Sequence, residues 1–379
     1  MNKKEVVLLL LVCIIPFIGY FLNPNLAYYD SFAFLSGTCG LNQNYIIPLV
    51  PCNILIIKTI LVGLYILSVF SIAFFGEKVI KENGWRVGFY SATLTPLLFQ
   101  EAMKFENDIF GWALIFLSFA VFSLSLNRQN KLIKAICIIL ATSIAILSTF
   151  IWLGSYFGVL YLGLMFFPIL VFVIPPFVIY ITAVFDYFLK SIFSNQIVSE
   201  EMVGAGIIPV MFIFWVLYSS PKKLIYPLAT WTSFIIGFIK IKYMLLAIPF
   251  LALNFVKFEN EHKHLKHWPN LIFVGLAFTC FFNLLSFNAA PTIEQFNTID
   301  SAIMLANDSN MPLYNDWKFG WWLEYKGQTT EYKASFPDPD YNNLTRPFIA
   351  ISSDNLTNSG CAIYYESNPS IFICSDLND

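Results

Sequence analysis

The chain has 379 residues, of which 58% are hydrophobic and only 12% charged, with a formal net charge of −2. A soluble domain carries about a quarter charged residues, so soluble, disordered and secreted classes are excluded, and the absence of a basic excess argues against nucleic acid as a partner. A mean hydropathy of +0.67 is that of a polytopic membrane protein. The charges are unevenly spread: residues 1–288 hold 18 Lys/Arg against 12 Asp/Glu, and residues 289–379 hold 4 against 12. Two domains are expected, a helical transmembrane part over 1–288 and a polar C-terminal part over 289–379.

A spanning helix needs about 20 predominantly apolar residues. By that measure the chain carries about 11 candidates, over 5–22, 54–76, 87–103, 109–126, 134–150, 152–167, 169–188, 206–219, 224–239, 241–257 and 270–288. The run 150–188 is continuous, interrupted only by Gly154 and by Pro168, Pro175 and Pro176, and is read as two spans. The first span is not read as a cleaved signal peptide, because no small-residue cleavage site follows Phe21. In the tail, short runs such as Pro347–Ser352 and Ala362–Tyr365 have strand character, and a helix is expected near Asp316. The fold class expected is therefore an α-helical polytopic membrane protein with a small C-terminal α/β domain.

Lys and Arg concentrate in cytoplasmic loops. With the N-terminus inside, Lys3, Lys4, Lys78, Lys81, Arg86, Arg128, Lys131, Lys134, Lys222, Lys223, Lys257, Lys263 and Lys266 fall inside, against Lys104, Lys190, Lys240 and Lys242 outside. An odd number of spans then puts the tail outside the cell membrane. Cys13, Cys137 and Cys280 fall within spans. Cys39/Cys52 and Cys361/Cys374 fall outside as two close pairs, and two disulfides are expected on that oxidising side.

Charged groups beside a bilayer are expensive, so their positions carry information. Three outside loops supply acids before the tail: Asp30 in the first, Glu106-Asn107-Asp108 in the second, and Glu200 and Glu201 in the third, with Glu101 and Asp186 near the span ends. Converging carboxylates form a hard oxygen site suited to Mg²⁺ or Mn²⁺ and to a phosphate-bearing substrate. The competing reading is that Asp108 caps a helix N-terminus. Lys240 and Lys242, in a tight outside turn, are candidate phosphate contacts or snorkelling side chains.

These fragments together resemble the single-subunit oligosaccharyltransferases of archaea and bacteria, which are GT-C glycosyltransferases. Asp30 is placed like that family's first-loop metal-site Asp. Glu106-Asn107-Asp108-Ile109-Phe110 resembles its DxD-type motif. Ile197-Val198-Ser199-Glu200 is similar to its long-loop motif, and Ile241-Lys242-Tyr243-Met244-Leu245 to its carrier-phosphate segment, with Lys for Arg. Asp316-Trp317-Lys318-Phe319-Gly320-Trp321-Trp322 stands where the family carries WWDYG. The resemblance implies a metal-dependent transfer of a glycan from a polyprenyl phosphate or diphosphate to Asn of acceptor proteins on the outer face. It implies Asp30 and Glu200 as catalytic residues, with Asp30, Glu106, Asp108 and Glu200 on the Mn²⁺ or Mg²⁺. Lys240 and Lys242 would meet the carrier phosphate, and Asp316, Trp317 and Lys318 the acceptor. The chain departs from the pattern at Lys318, which cannot accept a hydrogen bond from an acceptor hydroxyl as a carboxylate does. A lipid-linked glycan or Ser/Thr acceptor is thus a second expectation, and an envelope-lipid transporter or scaffold a third.

The remaining signals are weaker. His262, His264 and His267 are the chain's three histidines and share a positive inside loop with Lys263 and Lys266, which reads as solvated rather than metal-binding. Gly204 and Gly206 beside Glu200 either let the third loop close over substrate or break a helix before the next span. Lys58, one turn into the second span, has no assigned role. Asn307-Asp308-Ser309, Asn343-Leu344-Thr345 and Asn355-Leu356-Thr357 are N-glycosylation sequons in the tail. No Walker motif or Gly-rich nucleotide loop is present, which favours a lipid-linked donor.

Overall fold

The computed structural model describes residues 1–22, 31, 53–80, 82–93, 97–126, 128–152, 244–261, 292–328, 330, 332 and 338–375. They are mostly helical, with a small sheet near the C-terminus. They pack as two compact units. One comprises Met1–Tyr20, Thr59–Met103 and Asn107–Ser286; the other comprises Phe21–Lys58, Lys104–Glu106 and Phe287–Asp379.

The first unit begins with α1 (Lys3–Ile14), which a short 3-10 turn at Pro16 joins to α2 (Ile18–Leu22). Asn2 and Glu5 form a reciprocal cap, each side chain bonding the other's backbone N–H, so the first turn leaves two fewer orphan donors. Next come α3 (Ile54–Val79), α4 (Arg86–Thr93), α5 (Leu97–Met103), α6 (Asn107–Leu126), α7 (Lys131–Ile151) and α8 (Met244–Glu261). Asn130 starts α7 by accepting from the N–H groups of Leu132 and Ile133.

Four stretches are long and apolar enough to cross a membrane: Lys3–Leu22, Ile54–Val79, Asn107–Leu126 and Lys131–Ile151. They coincide with four of the expected spans. The expected third span is instead two shorter helices, α4 and α5, and the expected 241–257 span is α8, whose last turns carry Lys257, Glu259 and Glu261. The spans expected over 152–167, 169–188, 206–219, 224–239 and 270–288 lie outside the described residues.

Packing in this unit is aromatic. Phe17, Tyr65 and Phe99 meet edge-on or tilted, with centroids 4.5–6.1 Å apart. Phe75, Phe119 and Phe250 tie α3, α6 and α8 together, and Trp112 meets Trp152 at 4.9 Å. Lipid is as apolar as Leu, so helix association depends on close van der Waals fit rather than on apolar burial from water. Gly88 supplies that fit, because a Cβ there would stand 2.6 Å from both the Ala73 Cβ and the Val69 carbonyl oxygen of α3. The opposite behaviour is seen along α7, where Leu132, Ile136, Ile139, Leu140, Leu147 and Phe150 are all exposed, the surface a lipid-facing helix presents.

Polar contacts gather at one end of this unit. The N-terminal ammonium pairs with Glu77 at 2.7 Å, and Arg86 pairs with Glu259 at 2.6 Å. Tyr90 donates to the same carboxylate at 2.8 Å, and Asn83 to Asn260 at 3.1 Å. The chain start, the segment after α3 and the end of α8 therefore share an end. The Tyr20 hydroxyl donates to the Met103 carbonyl at 3.1 Å, joining the end of α2 to the end of α5.

The second unit holds α9 (Ile293–Ser309), β1 (Leu313–Asn315), α10 (Trp317–Tyr325), β2 (Phe348–Ser352), β3 (Cys361–Tyr365) and β4 (Ser370–Cys374). The strands run in the order β1-β2-β4-β3. β1 pairs parallel with β2, with Leu313 opposite Ile349; β4 is antiparallel to both β2 and β3. Thr292 and Gln295 form the reciprocal cap that starts α9, and Asn310 closes it at φ 53°. Phe296 of α9 stacks on Trp322 of α10 at 5.4 Å, and Lys326 pairs with Asp300. Phe348, Ala350, Leu356, Phe372 and the disulfide Cys361–Cys374 form the core under the sheet. The strands and the Asp316 helix agree with the sequence expectation; α9, β1 and β4 were not anticipated.

Candidate functional site

The second acidic loop begins the site. Glu106 is half-buried immediately before α6, and Asp108 is buried in its first turn. A carboxylate there is favoured by the unpaired N–H groups and the positive end of the helix dipole. Between them in the sequence, the Asn107 side-chain oxygen is buried and accepts no hydrogen bond among the described residues. Carboxylate and amide oxygens are both hard donors, and the three residues adjoin in the sequence.

Phe105, one residue before Glu106, donates its backbone N–H to the Ser31 hydroxyl at 2.9 Å, across 74 residues of chain. Both residues are buried. Ser31 directly follows Asp30 in the sequence, and Phe105 directly precedes Glu106. Asp30 itself, Glu200, Lys240 and Lys242 lie outside the described residues, as do the three histidines and the Cys39/Cys52 pair. Among the described residues, no three His, Cys, Asp or Glu side chains gather closely enough to hold a metal ion. Two further charged side chains are buried, Glu101 in α5 and Lys58 in α3.

Asp316 sits where β1 passes into α10. Its backbone N–H donates to Ile351, and its carboxylate is buried. One oxygen accepts from the Tyr341 hydroxyl at 2.8 Å. The other accepts from the Ser352 hydroxyl at 3.0 Å and the Ser353 N–H at 2.7 Å. Burial pushes the Asp316 carboxyl above its ordinary value, against the three donors, which pull it down. Burial likewise raises Tyr341, and the adjacent carboxylate raises it further. Neighbouring Asn315 is fully buried, accepting from Thr330 and donating to the carbonyls of Asp316 and Tyr332.

The expected acceptor segment is thereby divided. Asp316 turns its carboxylate inward onto β2, fixing the start of α10. Trp317 opens that helix. Lys318 is half-buried with its ammonium 5.2 Å from the Phe319 ring centroid. Sequence reasoning did not find Ser31, Asn107, Tyr341, Ser352 or Ser353. None of the four partner residues has a local signal, because each bond spans 25 residues or more; Asn107 was in view only as the middle of the acidic tripeptide. No family model matches the chain, and no curated protein does.

Proposed function

We propose that the protein is a membrane glycosyltransferase. It moves a sugar or glycan from a polyprenyl phosphate or diphosphate carrier to Asn of acceptor proteins, on the outer face of the cell membrane. The observation that carries this reading is the Ser31–Phe105 hydrogen bond, which ties the residue after Asp30 to the residue before Glu106. Of the stretches that the charge pattern assigns to one face, Phe21–Lys58, Lys104–Glu106 and Phe287–Asp379 fall in one compact unit, whereas Asp108 and the third loop with Glu200 fall in the other. A reaction between a lipid-anchored donor and an external acceptor needs acids gathered there.

The donor set fits a divalent cation in chemistry: Asp108, Glu106 and the orphaned Asn107 oxygen are hard ligands, and Asp30 and Glu200 would complete them. Bound there, Mn²⁺ or Mg²⁺ would supply neutralising charge for the leaving phosphate. Lys240 and Lys242 would add cationic contacts to the carrier. Asp30 and Glu200 would orient the acceptor amide for attack at the anomeric carbon. Asp316 would act by position, holding Trp317 and Lys318 at the start of α10.

One observation favours a second reading. The only carboxylate of the Asp316-Trp317-Lys318 segment is consumed by internal donors. An acceptor that needs no carboxylate there, such as a lipid-linked glycan, would be served equally. Chromosomal Asp108→Asn and Asp30→Asn variants separate the two. Complete lipid-linked glycan accumulating beside bare Asn on surface proteins is the expected result. A lipid-linked glycan shortened by a sugar would establish the second reading, and no change in either pool would refute a transferase.

A further inference from the structure

The tail carries three sequons, and the fold treats them differently. Asn307 lies inside α9, where Ser309 donates its hydroxyl to the Leu305 carbonyl. Asn343 is exposed, but its amide nitrogen is held by the Asp340 carboxylate at 2.7 Å. Asn355 is different in three respects.

First, the Asn355 side-chain oxygen accepts from the backbone N–H of Thr357 at 3.0 Å, the Asx turn that caps the 3-10 segment Leu356–Ser359. Its amide nitrogen donates no hydrogen bond among the described residues. Accepting a hydrogen bond at the amide oxygen orients the carboxamide and leaves the nitrogen outermost. Second, Asn355 and Thr357 are exposed while Leu356 between them is buried in the core with Phe348, Phe372 and the Cys361–Cys374 disulfide. The apolar middle residue anchors the sequon, and both chemically recognised residues face outward. Third, the turn is held from behind. Arg346 donates to the carbonyls of Ser359, Gly360 and Ser375, and Gly360 closes the segment at φ 72°.

From this geometry we infer that Asn355 is an N-glycosylation site of the tail, and that Asn343 and Asn307 are not. The inference rests on the outward placement of the tail proposed above. The co-reactant is a glycan on a polyprenyl phosphate or diphosphate. A bond forms between the Asn355 amide nitrogen and the anomeric carbon as the bond from that carbon to the carrier phosphate breaks. The phosphate leaves with the electron pair, and the proton lost by the amide nitrogen leaves with it. The Asx turn links residues only two apart, so the acceptor geometry is set locally. The segment leaves room for the product, since Asn355 is exposed and a glycan on this nitrogen displaces no hydrogen bond among the described residues.

The test uses the full chain purified from its native membranes, reduced, digested and read by peptide mass spectrometry. A glycan is expected on the peptide containing Asn355. It should be lost in Asn355→Gln, in Thr357→Ala and in Asn355→Asp, which retains the cap oxygen and therefore the fold. It should persist in Thr357→Ser, Asn343→Gln and Asn307→Gln. A bare Asn355 in the wild-type chain overturns the inference, as does a glycan on Asn343 or Asn307 with Asn355 bare. An Asp108→Asn chain tells this apart from the proposed activity. A glycan still present on Asn355 there upholds the site and refutes the chain's own transferase activity. Its loss together with glycans on other surface proteins upholds both.

Discussion

Replacing Asp316 probes the junction between β1, α10 and β2. Asp316→Ala removes an acceptor that serves the Tyr341 hydroxyl, the Ser352 hydroxyl and the Ser353 N–H at 2.7–3.0 Å. Each orphaned buried donor costs about 1–3 kcal/mol. The hydroxyls can turn toward other acceptors, but the Ser353 N–H is fixed by the backbone. Removing the carboxylate also relieves its own burial, the main cause of its raised pKa. A net loss of about 3 kcal/mol follows, equivalent to a roughly hundredfold rise in the opening constant of the sheet. Asp316→Asn keeps one acceptor oxygen for Ser352 and Ser353, and its NH₂ faces Tyr341, whose hydroxyl accepts as well as donates. That variant should lie within about 1 kcal/mol of wild type. The pH dependence has a definite sign. A carboxyl raised above 3.8 holds its proton to higher pH in the folded chain than in the unfolded one. Stability therefore falls as pH rises from 3.8 to the raised value, and is regained as pH falls through it. Asp316→Asn abolishes that slope. Hydrogen exchange of the β2 and β4 amides in the detergent-solubilised chain reads both effects. An Ala variant as protected as wild type, or an Asn variant as open as Ala, would refute the internal role of this carboxylate.

The disulfide and the helix contacts give two further predictions. Cys361 and Cys374 close a loop with a sequence separation of 13; the double Ser variant should destabilise the sheet by about 3 kcal/mol, read as faster exchange at β3 and β4, with unchanged exchange excluding a stabilising role. Gly88→Ala should destabilise by about 1–3 kcal/mol, because the added methyl meets Ala73 and Val69 of α3, whereas Gly63→Ala, with nothing within 4 Å, should be neutral or stabilising by about 1 kcal/mol. Thermal aggregation of the solubilised chain measures the contrast, and equal melting of the two variants would show that α3 and α4 do not meet at Gly88.

Much of the helical architecture is local, which is why it was legible. Apolar runs such as Ile54–Val79 and Asn107–Leu126 satisfy every backbone group within themselves, so length and composition suffice to find them. The Cys361/Cys374 pairing followed from proximity, and the strands at Phe348–Ser352 and Cys361–Tyr365 from alternating, branched and aromatic residues. The division of the expected third span into α4 and α5 was not read, and α9 was missed although Thr292 and Gln295 carry a capping box.

Tertiary structure alone decided the rest, because those contacts join residues far apart in the chain. The motif resemblance cast Asp316 as an acceptor contact, but its carboxylate is committed to Tyr341, Ser352 and Ser353, 25 to 37 residues away. The parallel pairing of β1 with β2 and the fastening of Ser31 to Phe105 have no local signature. Composition, span length and charge asymmetry placed the acids along the chain. Which of them stand beside a second loop, and which are spent inside the fold, depends on side chains that only folding brings within hydrogen-bond reach.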